Sequence, residues 1–134
     1  MLSPHAALVH TMVLVAAADQ NMTDAETSTI GEIIRNLPAF HGYDFDRLAG
    51  DAQSCVELLR DSDGLDRILE QIKKGLPARL RETAYALACD VAAADGKVTH
   101  EEARLLDLIR DHLAIGPLAA AAIEHGARAR HMTV

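Results

Sequence analysis

The sequence predicts an all-α chain, a compact single domain of about seven helices with an internal helical-hairpin duplication. Three observations carry that prediction. Apolar residues recur at helical spacing in segments bounded by capping residues, with no strand-like alternation between them. The motif Ala-Ala-Ala-Asp-x-x-(Met/Val)-Thr-x-x-Glu occurs twice. The composition is 49% hydrophobic but only 3% aromatic, and small or straight aliphatic side chains suit closely packed helices.

The first helix is expected from Pro4 to about Ala18. Ser3 supplies its N-cap and Pro4 its first position, where a missing N–H costs nothing. Leu8, Val9, Met12, Val13 and Ala16 form its apolar face. The second runs from Thr23 to about Leu37 on Ile30, Ile33, Ile34 and Leu37, and Pro38 stops it. A third covers about Asp44 to Arg60, with Leu48, Ala52, Cys55, Val56 and Leu59 on one face. A fourth covers about Ser62 to Lys74 on Leu65, Ile68, Leu69 and Ile72. Lys73 and Lys74 suit its C-terminus, Gly75 its C-cap, and Asp61, Asp63, Asp66 and Glu70 its solvated beginning. The fifth opens at Pro77 and ends near Ala94, and the sixth starts at Thr99 and carries Leu105, Leu106, Ile109 and Leu113. Gly116-Pro117 opens a closing helix that runs to about Ala129, with a frayed tail from Arg130.

The duplication is ungapped. Val15 to Asp19 matches Val91 to Asp95, Thr23 matches Thr99 and Glu26 matches Glu102. Met22 falls on Val98, Ile30 on Leu106, Ile33 on Ile109 and Leu37 on Leu113. The first repeat thus spans about 5–37 and the second about 78–113, with bridging helices over about 44–74 and the closing helix over about 117–129. Two helical hairpins of this kind are expected to pack about a pseudo-twofold axis.

Each loop carries a capping box. Thr23 with Glu26, and Thr99 with Glu102, have the spacing at which hydroxyl and carboxylate satisfy each other's backbone amides. Met22 and Val98 stand where an apolar residue staples onto the following turn. Asp19 and Asp95 are less easily explained, because a carboxylate at a helix C-terminus is disfavoured by roughly 0.3–1 kcal/mol. Either each makes an Asx-turn onto the loop amides, with Gly96 easing the second, or a cation is held between each Asp and the Glu that follows it. An EF-hand is excluded, because Val91 and Ala93, like Val15 and Ala17, would occupy ligand positions.

The run Ala-Ala-Ala-Asp-Gly-Lys-Val-Thr-His-Glu-Glu-Ala-Arg-Leu-Leu, with its partial copy upstream, resembles the TerB-like family associated with bacterial tellurite resistance. The resemblance covers most of the chain. It implies an all-α fold of two helical repeats, a bacterial cytosolic origin and a divalent cation, of unstated identity, bound by acidic residues. It points to Asp19 and Glu26 from copy one and Asp95 and Glu102 from copy two, with Asp24, His100 and Glu101 as additional loop residues. Copy one departs from the pattern, since Gln20-Asn21 replaces Gly-Lys.

Other chemistry is thinly represented. The formal charge of −7 and the scarcity of aromatics argue against a nucleic-acid partner. Cys55 and Cys89 sit in apolar helical patterns and are expected to be buried thiols. The seven histidines have no i, i+4 pairing of the metalloprotease type and are expected to be scattered polar or surface groups. No nucleophile elbow, P-loop or dinucleotide fingerprint is present. The apolar run Ala6 to Ala18 lacks a preceding basic residue and is too short to span a bilayer, so a cytoplasmic protein without membrane insertion is expected. The expected function is therefore a non-enzymatic module linked to tellurite, metal or chemical stress, with a protein partner or a second copy of itself. The alternative is an interaction or structural domain without a metal site.

Overall fold

The computed structural model describes residues 1–18 and 22–134. Among the described residues seven α-helices follow one another: α1 (Pro4–Ala16), α2 (Asp24–Asn36), α3 (Leu48–Leu59), α4 (Gly64–Gly75), α5 (Arg81–Ala93), α6 (His100–His112) and α7 (Pro117–Arg130). Three 3-10 turns lie between them, at Pro38–Phe40, Phe45–Arg47 and Ala78–Leu80. Among the described residues there is no strand.

Helix α1 starts as its residues dictate. The Ser3 hydroxyl accepts from the Ala6 amide at 3.1 Å, and Pro4 follows the cap. Its interior differs from the single apolar face expected, because every residue from Ala6 to Ala16 is buried. The reason is position. Helix α1 lies at the centre and contacts α2, α3, α4, α5 and α6, so no side of it reaches solvent. Burying each large aliphatic side chain there contributes roughly 1.5–3 kcal/mol. The two polar residues inside are dealt with differently. Thr11 donates to the Ala7 carbonyl at 2.8 Å, whereas His10 is 1% exposed and its Nδ1 has no partner. His10 is therefore a core residue rather than the surface group expected. Burial lowers its pKa against the opposing pull of Asp51, which favours the neutral ring.

Two helix starts lie later than expected, for one reason. Asp44 caps a 3-10 turn, accepting from the Asp46 amide at 3.0 Å, and α3 proper begins at Leu48. At Pro77 the chain is extended, the Leu80 amide closes on the Pro77 carbonyl at 2.9 Å, and α5 begins at Arg81. Both segments close i to i+3 before settling into α geometry. Gly75 ends α4, but its small size serves a close approach: a Cβ there would lie 2.9 Å from the Leu2 carbonyl oxygen. The left-handed residue after α6 is Ala114, at φ 54°, while Gly116 is the extended N-cap of α7.

Helix α5 is the second central element, packed on α1 and covered by α7. Tyr85 of α5 is 1% exposed and donates to Glu124 Oε2 on α7 at 2.5 Å, and Glu124 also meets Arg110 Nη1 at 3.5 Å. Burial and the Glu124 carboxylate both raise the Tyr85 pKa, so it remains a donor. Tyr85→Phe is expected to lower stability by about 1 kcal/mol, measured by urea denaturation; an unchanged midpoint would show that solvent replaces the bond at no cost. The end of α7 is anchored rather than frayed. Arg130 Nη2 meets Asp90 Oδ1 at 2.6 Å, and His131 Nε2 lies 3.4 Å from the same oxygen. Cys55 and Cys89 are buried and free, as expected, and burial pushes both thiols up to about 12.

Candidate functional site

Both repeated loops fold as reciprocal caps. Thr23 Oγ1 accepts from the Glu26 amide at 3.1 Å, while Glu26 Oε1 accepts from the Thr23 amide at 2.9 Å and its hydroxyl at 3.1 Å. Thr99 Oγ1 accepts from the Glu102 amide at 3.1 Å, and Glu102 Oε1 accepts from the Thr99 amide at 3.0 Å. Each box satisfies amides that a helix start leaves without partners, and the hydroxyl cap alone is typically worth about 1 kcal/mol. Met22 and Val98 do not staple tightly onto the next turn, since they are 41% and 50% exposed.

Capping does not require burial, yet Glu26 and Glu102 are each only 3% exposed. They are the two carboxylates in the core among the described residues. The packing of the hairpins puts them there. Helix α1 contacts α6 and α2 contacts α5, so each hairpin packs on the other. The Glu102 carboxyl comes within hydrogen-bonding reach of Glu26.

Burial first, and then the hydrogen bond to Glu26 and its negative charge, push Glu102 up to about 7. The bonds from Thr99 act in the opposite sense, because they stabilise the carboxylate. Around neutral pH Glu102 is therefore passing between its protonated and its ionised form beside Glu26. Carboxyl oxygens this close can share a proton, and carboxylate oxygens are the donors that hard cations take.

The other expected residues that the structure describes form no ligand cluster with this pair. Asp95 is exposed, and its Oδ1 accepts from the Lys97 amide at 3.1 Å across Gly96 at φ 81°. That is the Asx-turn, the local of the two roles expected for it. Asp24, His100 and Glu101 are exposed on the first turns of α2 and α6, where the two acids suit the helix dipole. Asp19 lies outside the described residues. Among the described residues, no three His, Cys, Asp or Glu side chains gather into a metal-holding cluster. The structure thus brings glutamate to glutamate across the two copies, an approach the sequence reading did not include.

The two-hairpin architecture and its loop chemistry agree with a family model described as "Tellurite resistance protein TerB", which matches residues 5–125. The chain belongs to the TerB family. No curated protein and no solved structure matched it. The TerB match takes in both repeats, the bridging helices and most of α7, so both members of the glutamate pair fall within it. No described helix is long and apolar enough to cross a membrane.

Proposed function

We propose that this TerB-family chain is a non-enzymatic, cytoplasmic binding module linked to tellurite, metal or chemical stress, in which Glu26 and Glu102 hold a divalent cation in place of the proton on Glu102. The meeting of two buried carboxylates, one from each copy, carries this reading. All-oxygen donors favour a hard cation such as Ca²⁺, Mg²⁺ or Mn²⁺ over a soft one. Asp19, Asp24, Asp95, His100 and Glu101 belong to the same two loops and supply further ligands or a local field that attracts cations. A protein partner, or a second copy of the chain, reads the loaded state. The link to stress rests on the family's description.

A second reading has its own support. Asp95 is already engaged by the Lys97 amide, and the capping boxes account for Thr23, Glu26, Thr99 and Glu102. On that reading the chain is an interaction or structural domain without a metal.

Titration with Ca²⁺, Mg²⁺, Mn²⁺ and Zn²⁺, followed by amide shifts and melting temperature, separates the two. The expected result is a saturable change at Glu26 and Glu102 with a rise in melting temperature. Binding should be tighter at about pH 8 than at about pH 6, because the ion displaces a proton. Glu102→Gln should weaken it at least about tenfold. No saturable change at either glutamate would overturn the cation reading in favour of the second.

A further inference from the structure

We infer that the trough between α3 and α6 is the docking site for an amphipathic helix of a partner protein whose apolar stripe is bordered by aspartate and glutamate. The trough has a volume of about 830 Å³ and reaches Leu14 of α1 and Leu65 of α4. Its walls are helical ridges. Val56 and Leu59 of α3 and its C-cap Arg60 stand at i, i+3 and i+4, and Glu101, Arg104, Leu105 and Leu108 of α6 at i, i+3, i+4 and i+7. Two such ridges with an apolar floor between them are complementary to a third helix, whose own ridges have the same spacing.

Charge indicates what borders the visiting helix. The chain carries a net charge of −7, yet among the described residues the trough's lining holds two arginines, Arg60 and Arg104, against one acid, Glu101. Both arginines are exposed, and neither takes part in an ion pair among the described residues. Elsewhere Arg67, Arg110 and Arg130 are held by acids of this chain, while Arg35, Arg47, Arg79, Arg81 and Arg128 also enter no ion pair among the described residues. One arginine on each wall lets a helix with acidic flanks place a carboxylate on either side of its apolar stripe, and guanidinium groups bind carboxylates bidentately. A partner with basic flanks would be repelled.

This surface rests on the binding-module reading but not on the cation, so its test is run in EDTA. The probe is a fluorescein-labelled amphipathic peptide of roughly three to five turns, with leucines at helical spacing and glutamates on both flanks. Anisotropy should show saturable binding with a dissociation constant below about 100 µM. Amide shifts should fall on Val56, Leu59, Leu65 and Leu108. Arg60→Glu with Arg104→Glu should weaken binding at least about tenfold at an unchanged melting temperature, and a lysine-flanked peptide should not saturate. Equal binding of the glutamate and lysine peptides, or shifts confined to other faces, would overturn the proposal. So would decanoate saturating these same amides while the peptide leaves them unmoved.

Discussion

Gly64→Ala is expected to destabilise the chain by about 3 kcal/mol and to lower its melting temperature by roughly 10 °C. A Cβ at position 64 would lie 1.9 Å from the Leu58 carbonyl oxygen, 2.8 Å from the Leu58 carbonyl carbon and 3.1 Å from Leu59 Cα. All three are backbone atoms, so no side chain can turn aside to make room. Relief requires the junction between α3 and α4 to open. That junction is fixed by short turn bonds, from the Asp61 amide to the Leu58 carbonyl at 3.2 Å and from the Gly64 amide to the Asp61 carbonyl at 3.0 Å. The helix propensity gained, up to about 1 kcal/mol, is too small to offset the clash. Gly50→Ala in α3 is the control, because nothing lies within 4 Å of a Cβ there. It should be neutral or slightly stabilising. A Gly64→Ala variant melting within about 2 °C of the parent would show that the junction yields freely.

How much of this was legible in the sequence follows from how local each determinant is. The starts of α1, α2, α6 and α7 depend on residues within one turn, and Ser3-Pro4, Thr23, Thr99 and Pro117 marked them. The 3-10 turns at Phe45–Arg47 and Ala78–Leu80 were missed, because the choice between i+3 and i+4 closure is made by packing rather than propensity. The burial of α1 on every side was missed for a related reason. Its residues are compatible with an amphipathic helix, and only the ring of neighbours decides otherwise.

The candidate site divides along the same line. Glu26 and Glu102 were readable as caps, since a cap is a contact three residues long. Their contact with each other spans the two copies, and the capping explanation was sufficient enough to hide it. One signal was available: the two glutamates hold the same register of the repeat. Residues near a twofold axis meet their own counterparts, so an equivalent pair at the inner end of each hairpin was a candidate for contact. Asp95 went the other way. It was the residue hardest to explain from the sequence, and its carboxylate turns out to close its own loop onto Lys97.

Glu102→Gln is expected to leave stability unchanged near pH 5 and to raise it near pH 8. In the folded chain burial and Glu26 raise the Glu102 pKa to about 7, whereas in the unfolded chain it titrates at its ordinary value of 4.5. Between those values the folded state holds a proton that the unfolded state has lost. The stability this proton contributes is whole below about pH 4.5, is lost as pH rises through about 7, and changes no further above that. Allowing for the solvent that reaches the loop, the loss is roughly 2 kcal/mol. Glutamine keeps the cap, since its amide oxygen still accepts from Thr99 and its NH₂ group can donate to Glu26 at every pH. The variant should therefore match the parent near pH 5 and exceed it near pH 8 by about 2 kcal/mol, or roughly 7 °C in melting temperature. His10 acts in the opposite sense. Its lowered pKa contributes stability above its ordinary value of 6.5 that is lost as pH falls, and this limb remains in both proteins. The informative quantity is thus the difference between the two melting curves across pH, in which His10 cancels. Parallel curves from pH 5 to pH 8 would mean that Glu102 is not raised by its burial beside Glu26, and would remove the electrostatic basis for a cation between them.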